Sequence, residues 1–218
     1  MKYGKGALGD AVAGEMIRLR WLRSRLPVPA IIRSVATQDE CWLMMQALAG
    51  KSARAVLDER PDDRAVLIDA LADFVRRIHE VPTLECPFDM RLERRLAEGR
   101  ARIDAGLVDE ADFDEERQGW CAEDVWKAIG ALLPLEPDQV VTHGDLSLDN
   151  VLIEGSRIVG CVDVGNAGLA DRYHDLAICW RDLADYGADA QTQFLQRYGV
   201  GGGDRHKLET YQLLDELF

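Results

Sequence analysis

The sequence predicts an α+β fold in which a small β-containing part precedes a mostly helical body. An amphipathic helix over residues 11–26 is followed by two short apolar stretches that form a hairpin, and helical periodicity dominates from residue 63 onward. The 218 residues suffice for one large domain or two small lobes with a buried core.

The elements of the first 52 residues follow from apolar spacing and from breaker residues. Residues 11–26 place an apolar stripe on one helical face, and the helix must end before Pro27. The apolar stretches 30–36 and 42–48 are separated by polar residues and predict an antiparallel hairpin. The Ala-Gly-Lys-Ser run at 49–52 breaks the pattern and is the best candidate for a hinge.

Helices dominate the rest of the chain, with one further hairpin. Helices are predicted at 63–80, 90–105 and 122–133, with a final helix running to the C-terminus, and short strands at 140–142, 151–153 and 158–162. The acidic segment 109–116 is predicted to be a loop.

Composition and charge restrict the class of protein. An apolar content of 47% and a charged content of 30% are typical of a globular chain. The net charge of −13 repels nucleic acid and anionic lipid and attracts small polycations, although acidity also serves solubility alone. The five cysteines form no C-x-x-C pair, which fits a reducing compartment. We expect a cytoplasmic enzyme, a monomer or weak dimer, with no nucleic-acid or membrane partner.

The motif HGDLSLDN at residues 143–150 carries the chemistry. Transfer of a phosphoryl group to an alcohol needs a carboxylate that orients the hydroxyl, oxygen ligands for a metal ion, and cations that neutralise charge. Asp145 precedes Asn150 by the spacing of the kinase catalytic loop H-R-D-x-x-x-x-N, with Gly144 in place of the arginine. The motif therefore predicts Asp145 as the base and Asn150 as a metal ligand.

A second aspartate completes the constellation. The predicted hairpin between residues 151 and 162 brings Asp163 beside Asn150, where both oxygens can share a hard cation. Asp163-Val164-Gly165 stands where kinases carry D-F-G. A lone His-Gly-Asp is common and its aspartate is usually a turn former, whereas the three groups in this order are specific. His143 is predicted to hold the loop, because Asp145 already occupies the position of the base.

The sequence resembles the aminoglycoside 3′-phosphotransferases over its whole length. The likeness is carried by residues 140–177, which include GLADRYHD, by the acidic pair Asp114-Glu115, and by the ending YQLLDELF. The resemblance implies a protein-kinase-like fold, with an incomplete N-lobe at 1–48 and a helical C-lobe at 49–218. It also implies ATP-dependent phosphorylation of the 3′-hydroxyl of kanamycin- or neomycin-type antibiotics, with Mg²⁺, and resistance to them.

Carried over residue by residue, the resemblance assigns further roles. Lys2 matches the phosphate-binding lysine, Glu15 matches the helix glutamate that pairs with it, and the backbone around Gln46 and Leu48 matches the hinge that holds adenine. Asp145 would be the catalytic base, with Asn150 and Asp163 as magnesium ligands. The drug-binding residues would be Asp114, Glu115, Arg181, Asp182, Asp185, Asp215, Glu216 and Phe218.

These acids have a physical rationale as drug ligands. Each ammonium group of an aminoglycoside gains a charge-assisted hydrogen bond from a carboxylate. Any one of the acids taken alone is better explained as a helix N-terminal charge or a solvated surface charge.

The sequence departs from the family at its start. The family has two further strands and a phosphate-covering loop before the lysine, so we expect an N-terminally truncated form with an opened sheet edge. The G-x-G-x-x-G at residues 4–9 follows the lysine instead of preceding it, and is predicted to be a flexible link to the Glu15 helix. Two alternatives stay open: a related kinase for choline, a fructosamine or a macrolide, and a fragment that binds without transferring phosphate.

Overall fold

The computed structural model describes residues 1–218 and has eight helices and eight strands in three small sheets. The elements are β1 (Lys2–Lys5), α1 (Ala7–Leu22), β2 (Ile31–Ala36), β3 (Glu40–Met45), β4 (Lys51–Ser52), α2 (Ala53–Glu59), α3 (Arg64–His79), α4 (Leu92–Asp104), α5 (Ala122–Leu132), β5 (Gln139–Thr142), β6 (Val151–Glu154), β7 (Arg157–Cys161), β8 (Gly168–Asp171), α6 (Tyr173–Asp182), α7 (Ala188–Tyr198) and α8 (Arg205–Asp215). This mixture confirms the predicted α+β class. None of the helices is long and apolar enough to cross a membrane.

The first sheet is antiparallel, in the order β1-β3-β2, and helix α1 packs against it. The β2–β3 hairpin was predicted, but α1 begins at Ala7, four residues before its predicted start. The turn between β1 and α1 is tight, because Gly6 has a φ of 57° and a Cβ on Gly4 would overlap the carbonyl of Leu8. The glycine-rich segment links the lysine strand to the Glu15 helix, as predicted, and the flexibility of this link stays a prediction.

The remaining elements form a body centred on α6. Seven consecutive residues of this helix, Tyr173–Cys179, are buried, because α7 and α8 pack against it. One cluster of 45 buried residues runs from Val12 in α1 to Leu217, just after α8, so the parts on either side of residue 48 share apolar contacts. The lobe boundary itself stays a prediction.

Three short elements were not predicted: β4, α2 and β8. The segment 49–52, predicted as a hinge, ends in β4, which pairs with β6 in the register Lys51 to Ile153 and Ser52 to Leu152. Strand β8 pairs with β5 and returns the chain beside the catalytic loop. Helix α8 ends at Asp215, three residues short of the predicted end. These elements depend on distant partners, which local periodicity does not reveal.

Candidate active site

The catalytic loop leaves β5 at Thr142 and packs against the turn that follows Asp163. Gly144 has a φ of 82°, and a Cβ there would overlap the carbonyl oxygen of Asn166. Only glycine combines this backbone conformation with so close an approach. This contact explains why glycine stands where protein kinases carry arginine.

Asp175 on α6 holds the start of this loop. Its carboxylate accepts the backbone N–H groups of His143 and Gly144, both at 2.8 Å, and lies 3.0 Å from Nε2 of His79. Burial by itself would raise the pKa of Asp175, but hydrogen bonding to His79 and the nearby His143 and His174 hold that pKa below its usual value. The motif did not single out Asp175, and its only sequence signal was its place in GLADRYHD.

Asp145, Asn150 and Asp163 converge at the mouth of the β6–β7 hairpin. The Asn150 amide nitrogen donates to the Asp145 carbonyl at 2.8 Å and to its carboxylate at 3.1 Å. The Val162 N–H donates to the Asn150 carbonyl at 2.9 Å and so closes the hairpin just before Asp163. Asp163 is the one non-glycine residue of positive φ, a conformation that aspartate tolerates better than most residues. Such an outlier is typical of functional sites.

Burial and charged side chains from several elements together set the pKa of Asp145. Burial raises its pKa, and the negative charges of Asp215 and Asp175 add to this effect, whereas His143 opposes it. His143 itself lies with Nε2 2.8 Å from the carbonyl of Val162, which suits the predicted loop-holding role.

A cavity of about 270 Å³ connects Asp145 to the first sheet. It is lined by Lys2, Tyr3, Leu8, Ala11, Val12, Glu15, Asp145, Asp163, Gly165 and Asn166. The Lys2 ammonium lies 2.7 Å from the buried carboxylate of Glu15 and also contacts Asp163. The predicted hinge residues Gln46 and Leu48 lie outside this lining, so their contact with adenine stays a prediction.

Helix α1 is fastened over the Asp163 turn by Arg18. Its Nε donates to the Ala167 carbonyl at 2.7 Å, and its guanidinium lies 4.7 Å from the centre of the Phe88 ring. This attachment fixes Glu15, one turn earlier on the same helix, relative to Asp163.

The residues around Asp163 fit a hard divalent cation. Because the Asn150 nitrogen is engaged with Asp145, its amide oxygen is left as the ligating atom, and the Asp163 carboxylate already contacts one cation, Lys2. No group of three or more His, Cys, Asp or Glu side chains forms a cage. Mg²⁺ characteristically binds through one or two protein oxygens together with substrate phosphates, so this sparse set suits it.

A second cavity, of about 330 Å³, is strongly acidic. It is lined by Arg102, Asp109, Asp112, Phe113, Asp114, Arg181, Asp215, Glu216 and Phe218. This acidic cavity brings together five of the predicted drug-binding residues, namely Asp114, Arg181, Asp215, Glu216 and Phe218. It also contains Asp109 and Asp112, which the sequence interpretation missed, although both lie in the acidic segment 109–116 that it treated as a loop.

Two arginines balance the carboxylates of the acidic cavity. Arg181 lies 2.7 Å from Asp215, and Arg117 lies 3.0 Å from Glu216. Burial raises the pKa of Glu216 to about 7, and the charge of Asp114 adds to the effect. Glu216 therefore changes charge near neutral pH.

The other three predicted drug-binding residues are placed outside this lining. Asp182 is only 9% exposed, accepts the Leu148 N–H at 2.8 Å and lies 3.1 Å from Arg54. Asp185 is exposed and pairs with Arg54 at 2.9 Å. Glu115 is exposed in a short 3₁₀ turn. The resemblance grouped these acids with the drug pocket, but in this structure two of them are bound to an arginine.

The fold and the site together define a class of protein. A carboxylate and an asparagine on one loop, a second aspartate across a hairpin, and a lysine–glutamate pair above them are the parts of a kinase-type phosphotransferase. The family model described as "Phosphotransferase enzyme family" matches residues 4–216.

Known proteins narrow the class further. An aminoglycoside 3′-phosphotransferase of Escherichia coli is 46% identical over all 218 residues, which cover 80% of its length. The crystal structure of an aminoglycoside-3′-phosphotransferase of type VIII has a TM-score of 0.88 at 33% identity, covering 100% of this chain and 84% of that one. An aminoglycoside phosphotransferase of Streptomyces rimosus, solved with ADP and streptomycin, has a TM-score of 0.88 at 27% identity, covering 99% of this chain and 85% of that one.

The chain belongs to this phosphotransferase family and, within it, to the aminoglycoside 3′-phosphotransferases. The predicted family and its kinase-like fold are thereby confirmed.

Proposed function

We propose that the chain transfers the γ-phosphoryl group of ATP to the 3′-hydroxyl of kanamycin- or neomycin-type aminoglycosides and so confers resistance to them. The observation that carries the substrate class is the acidic cavity itself, whose lining brings together the carboxylates of Asp109, Asp112, Asp114, Asp215 and Glu216. Such a cavity suits a polycation, and a drug held there would present its hydroxyl to Asp145.

Asp145 orients the acceptor and receives its proton. The hydroxyl oxygen attacks the γ-phosphorus, the bond from that phosphorus to the bridging oxygen of ADP breaks, and the hydroxyl proton passes to the Asp145 carboxylate. No phosphoenzyme forms. The pKa of Asp145 is raised chiefly by burial, which makes the carboxylate a better proton acceptor than an exposed aspartate.

Lys2, Asn150 and Asp163 hold the phosphate end of the nucleotide. The Lys2 ammonium, fixed by Glu15, offers donors to phosphate oxygens. Asn150 and Asp163 supply oxygen ligands for Mg²⁺. When bound there, the ion supplies neutralisation of the charge on the phosphates.

The acidic cavity binds the drug through its carboxylates. Each ammonium group can pair with one or two of them, and the lining residues Asp109 and Asp112 extend the set beyond Asp114, Asp215 and Glu216.

We propose that the division between the two lobes falls between residues 48 and 49. The enzyme is proposed to act in the cytoplasm, as a monomer or weak dimer, without a nucleic-acid or membrane partner.

Kanamycin-dependent release of ADP from MgATP tests this function, with Asp145→Ala as the control. We expect turnover that falls by about 10³-fold or more in the variant with little change in KM, because an orienting base is lost. Equal turnover in both proteins would contradict the assignment. A panel of choline, a fructosamine and a macrolide tests the related kinases, and drug binding without turnover would identify a fragment that does not transfer phosphate.

A further inference from the structure

Arg54, at the start of α2, joins three acidic side chains beside the catalytic loop. Its Nε donates to Asp149 at 2.9 Å, its Nη1 donates to Asp185 at 2.9 Å, and its Nη2 lies 3.1 Å from Asp182. Each guanidinium nitrogen has its own carboxylate. Neither the motif nor the resemblance singled out this arginine.

The backbone of Arg54 also contacts the loop. As the second residue of α2, Arg54 has an N–H with no partner inside its helix, and this N–H donates to the Leu148 carbonyl at 3.2 Å. The Leu148 N–H in turn donates to Asp182 at 2.8 Å. The Leu148 carbonyl is thus held by the Arg54 N–H, and the Leu148 N–H is held by Asp182, which itself pairs with Arg54.

The position of these contacts within the loop matters. Leu148 and Asp149 lie between the base Asp145 and the metal ligand Asn150. The Asn150 amide bonds back to Asp145, so a shift of residues 148 and 149 would move both groups relative to each other. At its start the loop is held by Asp175, whereas Arg54 acts near its end.

The charges explain why an arginine is needed. Asp182 is nearly buried, and without a cation its carboxylate would lose its Arg54 partner while remaining desolvated. Arg181 lies farther from it, at 3.8 Å, and is engaged with Asp215 at 2.7 Å. A lysine could satisfy one carboxylate at a time but could not hold three in fixed directions.

We infer that Arg54 is a positioning residue for the phosphoryl transfer proposed above: it holds residues 148 and 149 of the catalytic loop so that Asp145 and Asn150 keep their mutual geometry. In this role Asp182 supports the loop through its contacts with the Leu148 N–H and with Arg54. The inference rests on the proposed function for its kinetic consequence, but the loop contact itself is independent of it.

Arg54→Ala tests the kinetic consequence. We expect kcat to fall about 100-fold, the size of effect that a displacement of about 1 Å in a reacting group produces, while the KM values for MgATP and kanamycin change much less. Methylguanidine added to the variant should restore part of the lost kcat, and Arg54→Lys should lie between the two proteins. An unchanged kcat, or a loss confined to KM, would overturn the inference.

Arg197→Ala is the matched control. Arg197 also holds an aspartate from another helix, with Nε 2.9 Å and Nη2 2.5 Å from Asp73, but it does not touch the catalytic loop. Because both side chains of this pair are exposed, we expect a smaller loss of thermal stability than in Arg54→Ala, with kcat unchanged and no response to methylguanidine. If both variants lose kcat equally, Arg54 contributes only stability and the inference fails.

Hydrogen exchange separates this inference from the proposed function. Amide exchange of peptides covering residues 143–150, followed by mass spectrometry, should be faster in Arg54→Ala than in the wild type and unchanged in Arg197→Ala. Asp149→Ala removes one of the three carboxylates that Arg54 binds, on a side chain that is 58% exposed, and should give a smaller increase. If exchange is faster in Arg54→Ala but the wild type shows no turnover, the proposed function fails and the role of Arg54 stands. If exchange is unchanged in both Arg54→Ala and Asp149→Ala, the role of Arg54 is refuted.

Discussion

Gly144 shows how the backbone around one position restricts which residue the catalytic loop can carry there. Its positive φ and the adjacent carbonyl of Asn166 leave no room for a side chain, whereas a methyl group added to Gly130, in helix α5, would meet no atom within 4 Å. The two glycines therefore provide a matched pair, one required by the fold and one tolerated by it.

We predict that Gly144→Ala destabilises the protein by about 1–3 kcal/mol and lowers kcat, because the strained conformation and the overlap with Asn166 must be relieved by moving the loop. Gly130→Ala should instead stabilise it by about 0.5–1 kcal/mol, because alanine is the better helix former. Urea unfolding of both variants measures this. A Gly144 variant as stable as wild type would contradict the tight packing of the loop.

The raised pKa of Glu216 leads us to predict that drug binding depends on pH. Burial raises its pKa to about 7, so the side chain is neutral below that pH and negative above it. The contribution of Glu216 to binding a cationic drug should therefore grow as pH rises from 6 to 8. Glu216→Gln should raise the kanamycin KM about tenfold at pH 8, the value of one hydrogen bond to a charged group, and much less at pH 6.

The comparison must be made as the ratio of variant to wild-type KM at each pH, because the ammonium groups of the drug also titrate. A ratio that is constant between pH 6 and 8 would show that Glu216 does not change charge in this range. The KM for MgATP is the internal control and should not respond to the substitution.

At the scale of elements, α1 carries Glu15 and must be held against the Asp163 turn. Arg18 does this through the Ala167 carbonyl at 2.7 Å and through Phe88. We predict that Arg18→Ala raises the KM for MgATP more than that for kanamycin, because Lys2 and Glu15 lose their fixed position while the acidic cavity is untouched. Steady-state kinetics with each substrate varied in turn measure both constants.

Arg20→Ala serves as the control for this prediction. Arg20 lies on the same helix, is exposed, and its guanidinium makes one hydrogen bond, to the Ser34 hydroxyl at 3.3 Å. It should leave both KM values near those of the wild type. Equal effects of the two substitutions on the KM for MgATP would mean that α1 does not depend on the Ala167 contact.

At the scale of the whole molecule, the net charge of −13 distinguishes the two substrates. We predict that added NaCl raises the KM for kanamycin, because the attraction of the acidic surface for a polycation is screened over about 10 Å at 0.1 M salt. The KM for MgATP, which is anionic, should fall or stay constant. Parallel increases of both KM values would point to a general loss of folding and not to screening, and unfolding curves at each salt concentration would identify it.

The sequence alone determined those features that depend on residues close together in the chain. Asp145, Asn150 and Asp163 lie within 19 positions and are joined by a short hairpin, so their order and spacing defined the chemistry. Long helices such as α3 were predicted because an apolar stripe repeats within each turn. The family followed from the same local motifs.

Only the tertiary structure decided which distant groups support that chemistry. Asp175 reaches the loop from α6, Arg54 reaches it from α2, and Asp109 joins Asp215 in the acidic cavity across more than 100 residues of chain. Strands β4 and β8 exist because they pair with strands far along the sequence. No periodicity or spacing encodes such contacts, because charged side chains on a helix surface look alike in sequence until the fold places one beside a backbone amide that needs a partner.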